Sequence, residues 1–388
     1  MIRHLKARID AIHESGRYRQ LRLVEQTSGP EMIMNGKKFL NFASNNYLGL
    51  ANHPVICQRA AESIATWGVG SGASRLITGN TTLHEELEKK IADFKKQESS
   101  VLFNCGYMAN VGGISALAGK DDIIYSDTLN HASVIDGARL SKANISVYDH
   151  GDTRDLEAKI RASGKEGGLI VSDGVFSMDG DIAPLPELTE IASQYECALM
   201  IDDAHGTGVL GKTGRGVCEH FNLYEGVDLH MGTLSKALGS EGGFIAGSDI
   251  LADLLRNVAR PFIFSTALAP SSVAAASAAI DVLREETWRV RTLSENSRYL
   301  REGMRSIGLT VPDGITPIIP VIVGQNKDTI SFSSILEQEG IFSPAIRPPT
   351  VPEGLGRIRV TTMATHTREH LDQALSSFET AGRKTGLF

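Results

Sequence analysis

Short apolar runs alternate with longer amphipathic stretches through the middle of the chain. From Ser99 onward, runs of strand length are each followed by a segment with helical spacing, and they cover residues 101–103, 122–125, 145–148, 169–171, 199–201 and 227–231. Parallel strands joined by crossover helices produce this alternation. The pattern therefore predicts an α/β domain with a mostly parallel sheet.

The two ends of the chain carry different patterns. Up to about Gln26, apolar residues recur at three- and four-residue spacing, which predicts a helical arm. Residues 31–42 flank Asn35-Gly36, a dipeptide typical of a hairpin turn. Long helices are predicted at 270–283 and 289–306, and then strand, helix, strand and helix at 318–323, 329–338, 357–360 and 368–381. We therefore predict an N-terminal arm (1–45), a large domain (46–285) and a smaller C-terminal α/β domain (286–388).

Composition narrows the class of protein. The chain has 388 residues, of which 41% are hydrophobic and 22% charged, enough for a large core. Its net charge is −7, and the sequence has no run of basic residues that could bind a nucleic-acid phosphate backbone. We therefore expect no nucleic-acid partner. The four cysteines have neither disulfide nor metal spacing, which favours a reducing cytoplasm and no metal. No apolar stretch reaches 18 residues, so we expect neither membrane spanning nor export.

Polar residues follow several of the predicted strands. Ligands of such sheets bind outside the carboxyl ends of the strands. Asp202 and His205 follow one strand, and Lys236 follows the next in a turn edged by glycines. Further polar groups follow the other strands at residues 104–107, 130–131 and 172–177. The sequence therefore predicts one pocket at this edge, with Lys236 as its catalytic residue.

Residues 206–213 offer a competing interpretation, because they match the phosphate-binding-loop pattern of nucleotide hydrolases. In such a loop the strand runs directly into the first glycine and a helix starts at the Lys-Thr pair. Here residues 202–205 intervene, and Gly214 and Gly216 would each cost a helix about 1 kcal/mol. We therefore predict that this match is accidental. The glycine-rich stretch 68–75 follows a helical pattern rather than a strand, which argues against a dinucleotide site.

A pyridine aldehyde cofactor bound to Lys236 would give these residues complementary roles. A carboxylate facing the ring nitrogen keeps the nitrogen protonated and makes the ring an electron sink, and Asp202 is placed for this. His205 and Ser177 would hold the phenolic oxygen, and His131 would stack on the ring. Three alternatives remain: His131 caps a helix, Ser177 ends a turn, or Asp203 points inward instead of Asp202.

The phosphate of such a cofactor needs donors. Gly106 and Tyr107 precede a helical pattern, so their amides and the helix N-terminus suit an anion. The hydroxyls of Thr233 and Thr266 would add contacts. These residues complete the predicted cofactor site.

Four motifs resemble the pyridoxal-phosphate-dependent α-oxoamine synthases. They are Asn130-His131-Ala132-Ser133, Asp173 to Gly180, Asp202 to Gly206, and Thr233-Leu234-Ser235-Lys236. The resemblance implies a fold type I homodimer that shares its active site across the interface and condenses an amino acid with an acyl thioester, losing CO2. It also implies that Lys236 binds pyridoxal 5'-phosphate covalently and acts as the general base, and that Thr266 reaches the partner chain's phosphate.

The resemblance also indicates the substrates. Residues 345–354 resemble family members that use L-alanine and a pimeloyl thioester, carried by coenzyme A or acyl carrier protein, in biotin biosynthesis. Members that join glycine to acetyl-CoA, the 2-amino-3-ketobutyrate CoA ligases, are the alternative. By the same resemblance, Arg359 or Arg347 binds the amino acid carboxylate and Arg19 or Arg22 the acyl substrate. The other implied substrate contacts are Asn45, His131 and Thr350.

Overall fold

The structure is a computed structural model that describes residues 2–14, 18–27, 29–348 and 350–388. The strands are β1 (Val24–Thr27), β2 (Glu31–Met34), β3 (Lys37–Asn41), β4 (Ser99–Phe103), β5 (Ile123–Asp127), β6 (Asn144–Tyr148), β7 (Gly168–Asp173), β8 (Cys197–Asp202), β9 (Leu229–Thr233), β10 (Gly243–Gly247), β11 (Ile318–Gly324), β12 (Ile341–Phe342), β13 (Ala345–Ile346) and β14 (Gly356–Thr361). The α-helices are α1 (Leu5–Glu14), α2 (Pro54–Trp67), α3 (Thr82–Lys95), α4 (Gly106–Leu117), α5 (Ala132–Ser141), α6 (Thr153–Ser163), α7 (Leu185–Gln194), α8 (Val217–Phe221), α9 (Asp249–Val258), α10 (Arg260–Ile263), α11 (Pro270–Glu285), α12 (Trp288–Ser306), α13 (Asn326–Gln338) and α14 (Arg368–Thr385).

A seven-stranded sheet forms the centre of the proposed large domain, in the order β4-β10-β9-β8-β7-β5-β6. The predicted strands are all present as β4 to β9, and the mostly parallel sheet is confirmed. The strand β10 was not predicted, and it runs antiparallel to both β4 and β9. Its five residues begin and end with glycine, so its apolar run is too short to stand out in the sequence.

Both faces of this sheet are buried, as expected for parallel strands covered by helices. Along β8, Leu199 and Ile201 belong to one hydrophobic cluster and Met200 to another, because successive side chains point to opposite faces. The register pairs Asp202 at the end of β8 with Asp173 of β7 and Met231 of β9. The polar residues that follow these strands are therefore neighbours at one edge.

The C-terminal segments form a second, smaller core. Strands β11, β14 and β13 make an antiparallel sheet, and the predicted strand, helix, strand and helix are confirmed as β11, α13, β14 and α14. The predicted hairpin is also confirmed as β2 and β3, with Asn35 and Gly36 at positive φ of 51° and 70°. Strand β3 pairs with β12, and Leu40 lies in one cluster with Leu300 and Met304. The last strand of the segment proposed as the arm therefore packs on the proposed small domain.

The N-terminal segment differs from its prediction. The helix α1 ends at Glu14, residues 18–23 have no regular structure, and Val24–Thr27 pairs with β2 as a strand. The prediction of a helix to Gln26 was therefore wrong in its second half, because pairing with β2 competes with helix there. The structure gives α1 no buried residue to anchor it. Among the described residues, none of the helices combines the length and hydropathy needed to cross a membrane.

Candidate active site

A cavity of about 220 Å³ lies at the carboxyl ends of β7, β8 and β9. Its walls include these predicted residues: Gly106, Tyr107, His131, Asp202, His205, Thr233 and Lys236. The walls also include Asn110, Ser133 and Asp173, to which the sequence assigned no individual role. The chain therefore brings together most of the predicted cofactor contacts in one place.

Lys236 lies in a tight turn after β9. Leu234 donates to the carbonyl of Gly242 at 3.0 Å, and Gly239 donates to that of Lys236 at 3.0 Å. Gly239 has a φ of 63°, and a Cβ there would lie 2.4 Å from the backbone nitrogen of Ala51, so the position requires glycine. Burial lowers the pKa of the Lys236 ammonium, although the carboxylates of Asp202 and Asp173 oppose this. A lowered pKa leaves a larger fraction of the amine neutral, and the neutral amine is the form that acts as a nucleophile or a base.

Asp202 faces the cavity and is held by Asn110. Its Oδ2 accepts a hydrogen bond from Asn110 Nδ2 at 2.6 Å, and the same nitrogen donates to Ser133 Oγ at 2.8 Å. Asp203 instead pairs with the buried Lys95 at 2.8 Å, and it does not line the cavity. Of the two neighbouring acids, Asp202 is therefore the one available to a ligand.

Asp173 adds a second carboxylate beside Asp202. Burial, followed by the neighbouring charge of Asp202, raises the pKa of Asp173 well above its usual range. Its Oδ1 also accepts a hydrogen bond from the backbone of His131 at 3.2 Å. The two acids therefore share one desolvated wall, where the ionised form of Asp173 is disfavoured.

His131 has two functions in the structure. Its Nδ1 accepts from the backbone of Ser133 at 3.3 Å and caps α5, as the alternative interpretation of the sequence had it. The ring also lines the cavity, where desolvation and then the charge of Lys236 lower the pKa of His131, against the opposing effect of Asp202. Capping therefore fixes the orientation of a ring that also lines the cavity.

His205 is buried, and its Nδ1 lies 2.8 Å from the hydroxyl of Tyr47. Burial, and then the charges of Lys236 and Arg359, bring its pKa well below the usual value. The imidazole is therefore neutral and carries a single N–H. Its side chain lines the cavity between Ala204 and the residues after β9.

The first turn of α4 lies at one end of the cavity. Cys105 precedes the helix and makes no side-chain capping bond, which leaves the first backbone N–H groups to a ligand. A Cβ on Gly106 would lie 2.4 Å from Thr233 Cγ2, so only glycine allows this close approach. A cavity with an open helix N-terminus, a half-buried lysine and a desolvated carboxylate fits the phosphate, aldehyde and pyridine nitrogen of pyridoxal phosphate.

Arg359 joins the N-terminal segment to this region. It is 7% exposed, and its guanidinium nitrogens Nη1 and Nη2 lie 3.3 and 3.4 Å from Asn45 Oδ1. Its Nε donates to the carbonyl of Ser177 at 2.5 Å. The charge of Arg359 also lowers the pKa values of His205 and Lys236, so it acts on the cavity electrostatically. The structure therefore brings two predicted substrate contacts, Asn45 and Arg359, together.

Other predicted residues lie outside the first cavity. Ser177 and Thr350 line a second cavity of about 170 Å³, and the amide of Thr350 donates to the carbonyl of the half-buried Arg347. Thr266 is exposed and accepts a hydrogen bond from Asn104 at its carbonyl. Arg19 is exposed on the segment before β1.

Arg22, the alternative to Arg19, is engaged elsewhere in the chain. Its guanidinium pairs with Glu337 at 2.8 Å and lies over the ring of Phe342. Both partners belong to the proposed small domain. The chain alone therefore brings neither arginine to the cavity.

Residues 206–213, which match the phosphate-loop pattern, form a turn that is occupied by a side chain of the protein itself. No helix starts at Lys212, because α8 begins only at Val217. The carboxylate of Glu219 accepts hydrogen bonds from the amide and hydroxyl of Thr213 and from the amide of Arg215. The predicted absence of the helix is confirmed, and a side chain occupies the place that a phosphate would need.

Comparison with known proteins places the chain in a family. A model of the family described as aminotransferase class I and II matches residues 37–378. The chain belongs to this family. An 8-amino-7-oxononanoate synthase of Lysinibacillus sphaericus is 50% identical over 380 residues, covering 98% of each chain. One of Thermoanaerobacter pseudethanolicus is 46% identical over 385 residues, covering 99% of this chain and 98% of its own. The resemblance to the α-oxoamine synthases is confirmed.

Several solved structures share the fold of this chain. A serine palmitoyltransferase of Sphingomonas wittichii has a TM-score of 0.94 at 33% identity, over 99% of this chain and 98% of its own. An 8-amino-7-oxononanoate synthase of Francisella tularensis has a TM-score of 0.78 at 27% identity, over 89% and 98%. A further serine palmitoyltransferase structure, 32% identical with a TM-score of 0.94, contains pyridoxal phosphate. The predicted fold type I architecture is therefore confirmed.

Proposed function

We propose that this chain is a pyridoxal-phosphate-dependent acyltransferase that condenses L-alanine with a pimeloyl thioester. The products are 8-amino-7-oxononanoate, CO2 and the free thiol, as in biotin biosynthesis. The observation that carries the proposal is the cavity of Lys236, Asp202 and His131 in a chain that is 50% identical to an 8-amino-7-oxononanoate synthase. The thioester is carried by coenzyme A or by acyl carrier protein.

Different residues of the cavity would bind different parts of the cofactor. The first turn of α4 with Thr233 would hold the phosphate, and Asp202 the ring nitrogen, where Asn110 keeps its carboxylate in place. His131 would lie against the ring, and His205 would reach the phenolic oxygen. When bound, pyridoxal phosphate supplies an electron sink for the carbanion at Cα.

Lys236 would move the proton of the reaction. Its depressed pKa leaves part of the amine neutral, and a neutral Nζ is able to take a proton from Cα of the amino acid. The same atom then returns a proton after CO2 has left. The carboxylate of Asp202 stabilises the ammonium that exists between these two events.

Arg359 would bind the carboxylate of L-alanine. A guanidinium offers two parallel N–H groups to a carboxylate, which fixes the orientation of Cα as well as adding affinity. Asn45 and the carbonyl of Ser177 already hold the guanidinium in one position. Among the described residues, no side chain supports Arg347 in this way, and Arg347 is the alternative.

We also propose that two copies form the active unit, with Thr266 of one reaching the phosphate site of the other. The support is a group of exposed apolar residues near the bridge between Ser74 and Thr266, namely Ile77 (75% exposed) and Phe264 (69%). Burial of such side chains against a second copy is favourable. Sedimentation of the purified protein as a monomer at micromolar concentration would contradict this arrangement.

The four cysteines are free thiols, which supports the cytoplasm as the proposed compartment.

The deciding experiment incubates purified protein and pyridoxal phosphate with L-alanine and either pimeloyl-CoA or pimeloyl-acyl carrier protein. We expect 8-amino-7-oxononanoate and CO2 by mass spectrometry, with little product from glycine. Turnover of glycine and acetyl-CoA in preference to alanine would instead identify a 2-amino-3-ketobutyrate CoA ligase.

The carboxylate clamp is tested with matched arginine variants. Arg359→Ala should weaken L-alanine binding by about tenfold or more, since a charge-assisted hydrogen bond contributes about 1.5–3 kcal/mol. Arg359→Lys should recover part of this loss. Arg347→Ala is the control, and alanine titrations followed by cofactor absorbance give the affinities. Normal binding by Arg359→Ala together with lost binding by Arg347→Ala would move the clamp to Arg347.

A further inference from the structure

Tyr47 contacts His205 without lining the cavity. Its side chain is fully buried, and its hydroxyl lies 2.8 Å from Nδ1 of His205 and 3.2 Å from Oδ1 of Asn45. The two rings pack edge to face, with centroids 6.1 Å apart. Asn45 Oδ1 in turn faces Arg359. A continuous string of polar groups therefore runs from Arg359 to the cavity.

The number of protons in this string is limited. Burial raises the pKa of Tyr47, so its hydroxyl stays protonated and has one hydrogen to donate. His205 is neutral and has one N–H. Two arrangements satisfy these groups. In the first, Tyr47 donates to Nδ1 and the imidazole proton is on Nε2; in the second, Nδ1 donates to Tyr47, which donates to Asn45.

The contacts around Asn45 favour the first arrangement. Both terminal nitrogens of Arg359 already point at Oδ1 of Asn45, at 3.3 and 3.4 Å. This amide oxygen is therefore engaged by a cation, whereas among the described residues Nδ1 of His205 has Tyr47 as its hydrogen-bond partner. The distance from the hydroxyl is also shorter to Nδ1 than to Oδ1. The hydroxyl proton consequently belongs to the Tyr47–His205 bond.

We propose that Tyr47 is a positioning residue that fixes the tautomer of His205 with the proton on Nε2. The role of Tyr47 rests on the proposed function, because that function assigns His205 to the cofactor's phenolic oxygen. A proton on Nε2 makes His205 a donor to that oxygen, whereas the other tautomer would present a lone pair to it. The same string links the cofactor contact to the residue that binds the amino acid carboxylate.

The tautomer is measured directly by ¹⁵N NMR of the histidine-labelled, cofactor-loaded protein. The signals of His205 are assigned by their loss in His205→Gln. We expect Nε2 to show the shift of a protonated nitrogen and Nδ1 that of an unprotonated hydrogen-bond acceptor. A proton on Nδ1 overturns the proposal. Because this spectrum is taken on the parent protein, the result does not depend on the folding of any Tyr47 variant.

The consequence for the cofactor is measured with Tyr47→Phe, which keeps the buried ring and removes only the hydroxyl. We expect His205 to lose its tautomer preference and the Kd for pyridoxal phosphate to rise about five- to tenfold, the equivalent of one neutral hydrogen bond. Tyr125→Phe is the matched control, since Tyr125 is equally buried and its hydroxyl donates to Ser163 at 2.9 Å, away from the cavity.

The control separates positioning from general stability. Equal increases of the cofactor Kd in Tyr47→Phe and Tyr125→Phe would overturn the positioning role, because both variants lose one buried hydrogen bond. An unchanged Kd and an unchanged tautomer in Tyr47→Phe would overturn it as well. A protein that carries the Nε2 proton but condenses no amino acid with a thioester supports the tautomer assignment and contradicts the proposed function.

Discussion

Two segments of the proposed large domain bring backbone amides to the end of a strand: the first turn of α4 after β4, and the turn 206–213 after β8. The second matches a phosphate-loop pattern, yet Glu219 already accepts the hydrogen bonds of Thr213 and Arg215 there. The first matches no such pattern, yet its amides lack a side-chain cap and open into the cavity with Lys236. An anion site thus depends on whether its donors are free and on what lies beside them, which a pattern of letters does not report.

The largest contrast is expected between the lysines of the two segments. Lys236→Ala should lower turnover by about 10⁴-fold or more, because it removes both the covalent anchor and the general base. Lys212→Ala should leave turnover unchanged, since Lys212 is exposed beside a turn whose amides already donate to Glu219. Product formation from L-alanine and the pimeloyl thioester measures both. Near-normal turnover by Lys236→Ala would break the comparison.

The next largest difference in turnover is expected between variants of Asp202, beside the first segment, and of Glu219, in the second. Asp202→Asn is isosteric but weakens the contact to the pyridine nitrogen, so turnover should fall by about 10²- to 10³-fold while the fold persists. Glu219→Gln should keep turnover and instead lower the free energy of unfolding by about 1–2 kcal/mol, because its charged hydrogen bonds weaken. Urea unfolding and steady-state assays separate the two effects. Loss of activity in Glu219→Gln would show that the turn contributes to the reaction.

Smaller effects are expected from substitutions of Gly106 in the first segment and Gly211 in the second. Gly106→Val places atoms against Thr233 and the start of α4, so the Kd for pyridoxal phosphate should rise about tenfold. Gly211→Ala places a Cβ 2.2 Å from Glu219 Oε2 at a φ of 84°, so stability should fall by about 1–2 kcal/mol with cofactor affinity unchanged. Cofactor titrations and thermal melts of the two variants provide the test. A cofactor Kd that rises in Gly211→Ala alone would reverse the assignment of the anion site.

The last prediction is that the turn 206–213 binds no nucleotide. Equilibrium dialysis of the parent protein with ATP and Mg²⁺ should show no saturable binding, because Glu219 fills the turn 206–213. Micromolar binding that disappears in Lys212→Ala would restore the nucleotide-hydrolase interpretation.

The fold was largely predictable because local patterns carry it. Strands β4 to β9 are apolar runs between amphipathic helices, and the residues after them had to meet at one edge of the sheet. This placed His131, Asp202 and Lys236 in advance. The strand β10 escaped prediction because five residues bounded by glycines carry too little pattern.

The site was less predictable where it depends on distant contacts. Asn110 reaches Asp202 from within an apolar helix, across 92 residues of sequence. Arg359 meets Ser177 and Asn45 across 182 and 314 residues, so no local spacing reveals these contacts. Asp173 is the last residue of β7, and its proximity to Asp202 follows from strand register alone. The assigned roles of Thr266 and Arg19 involve groups beyond this chain.

The central claim is that the cavity at Lys236 is the cofactor site. Its most direct test loads the protein with pyridoxal phosphate, reduces it with borohydride, digests it and locates the modified lysine by mass spectrometry. We predict the label on Lys236, with Lys212 and the other lysines unmodified at one equivalent of cofactor. A single label on any other lysine would contradict the account.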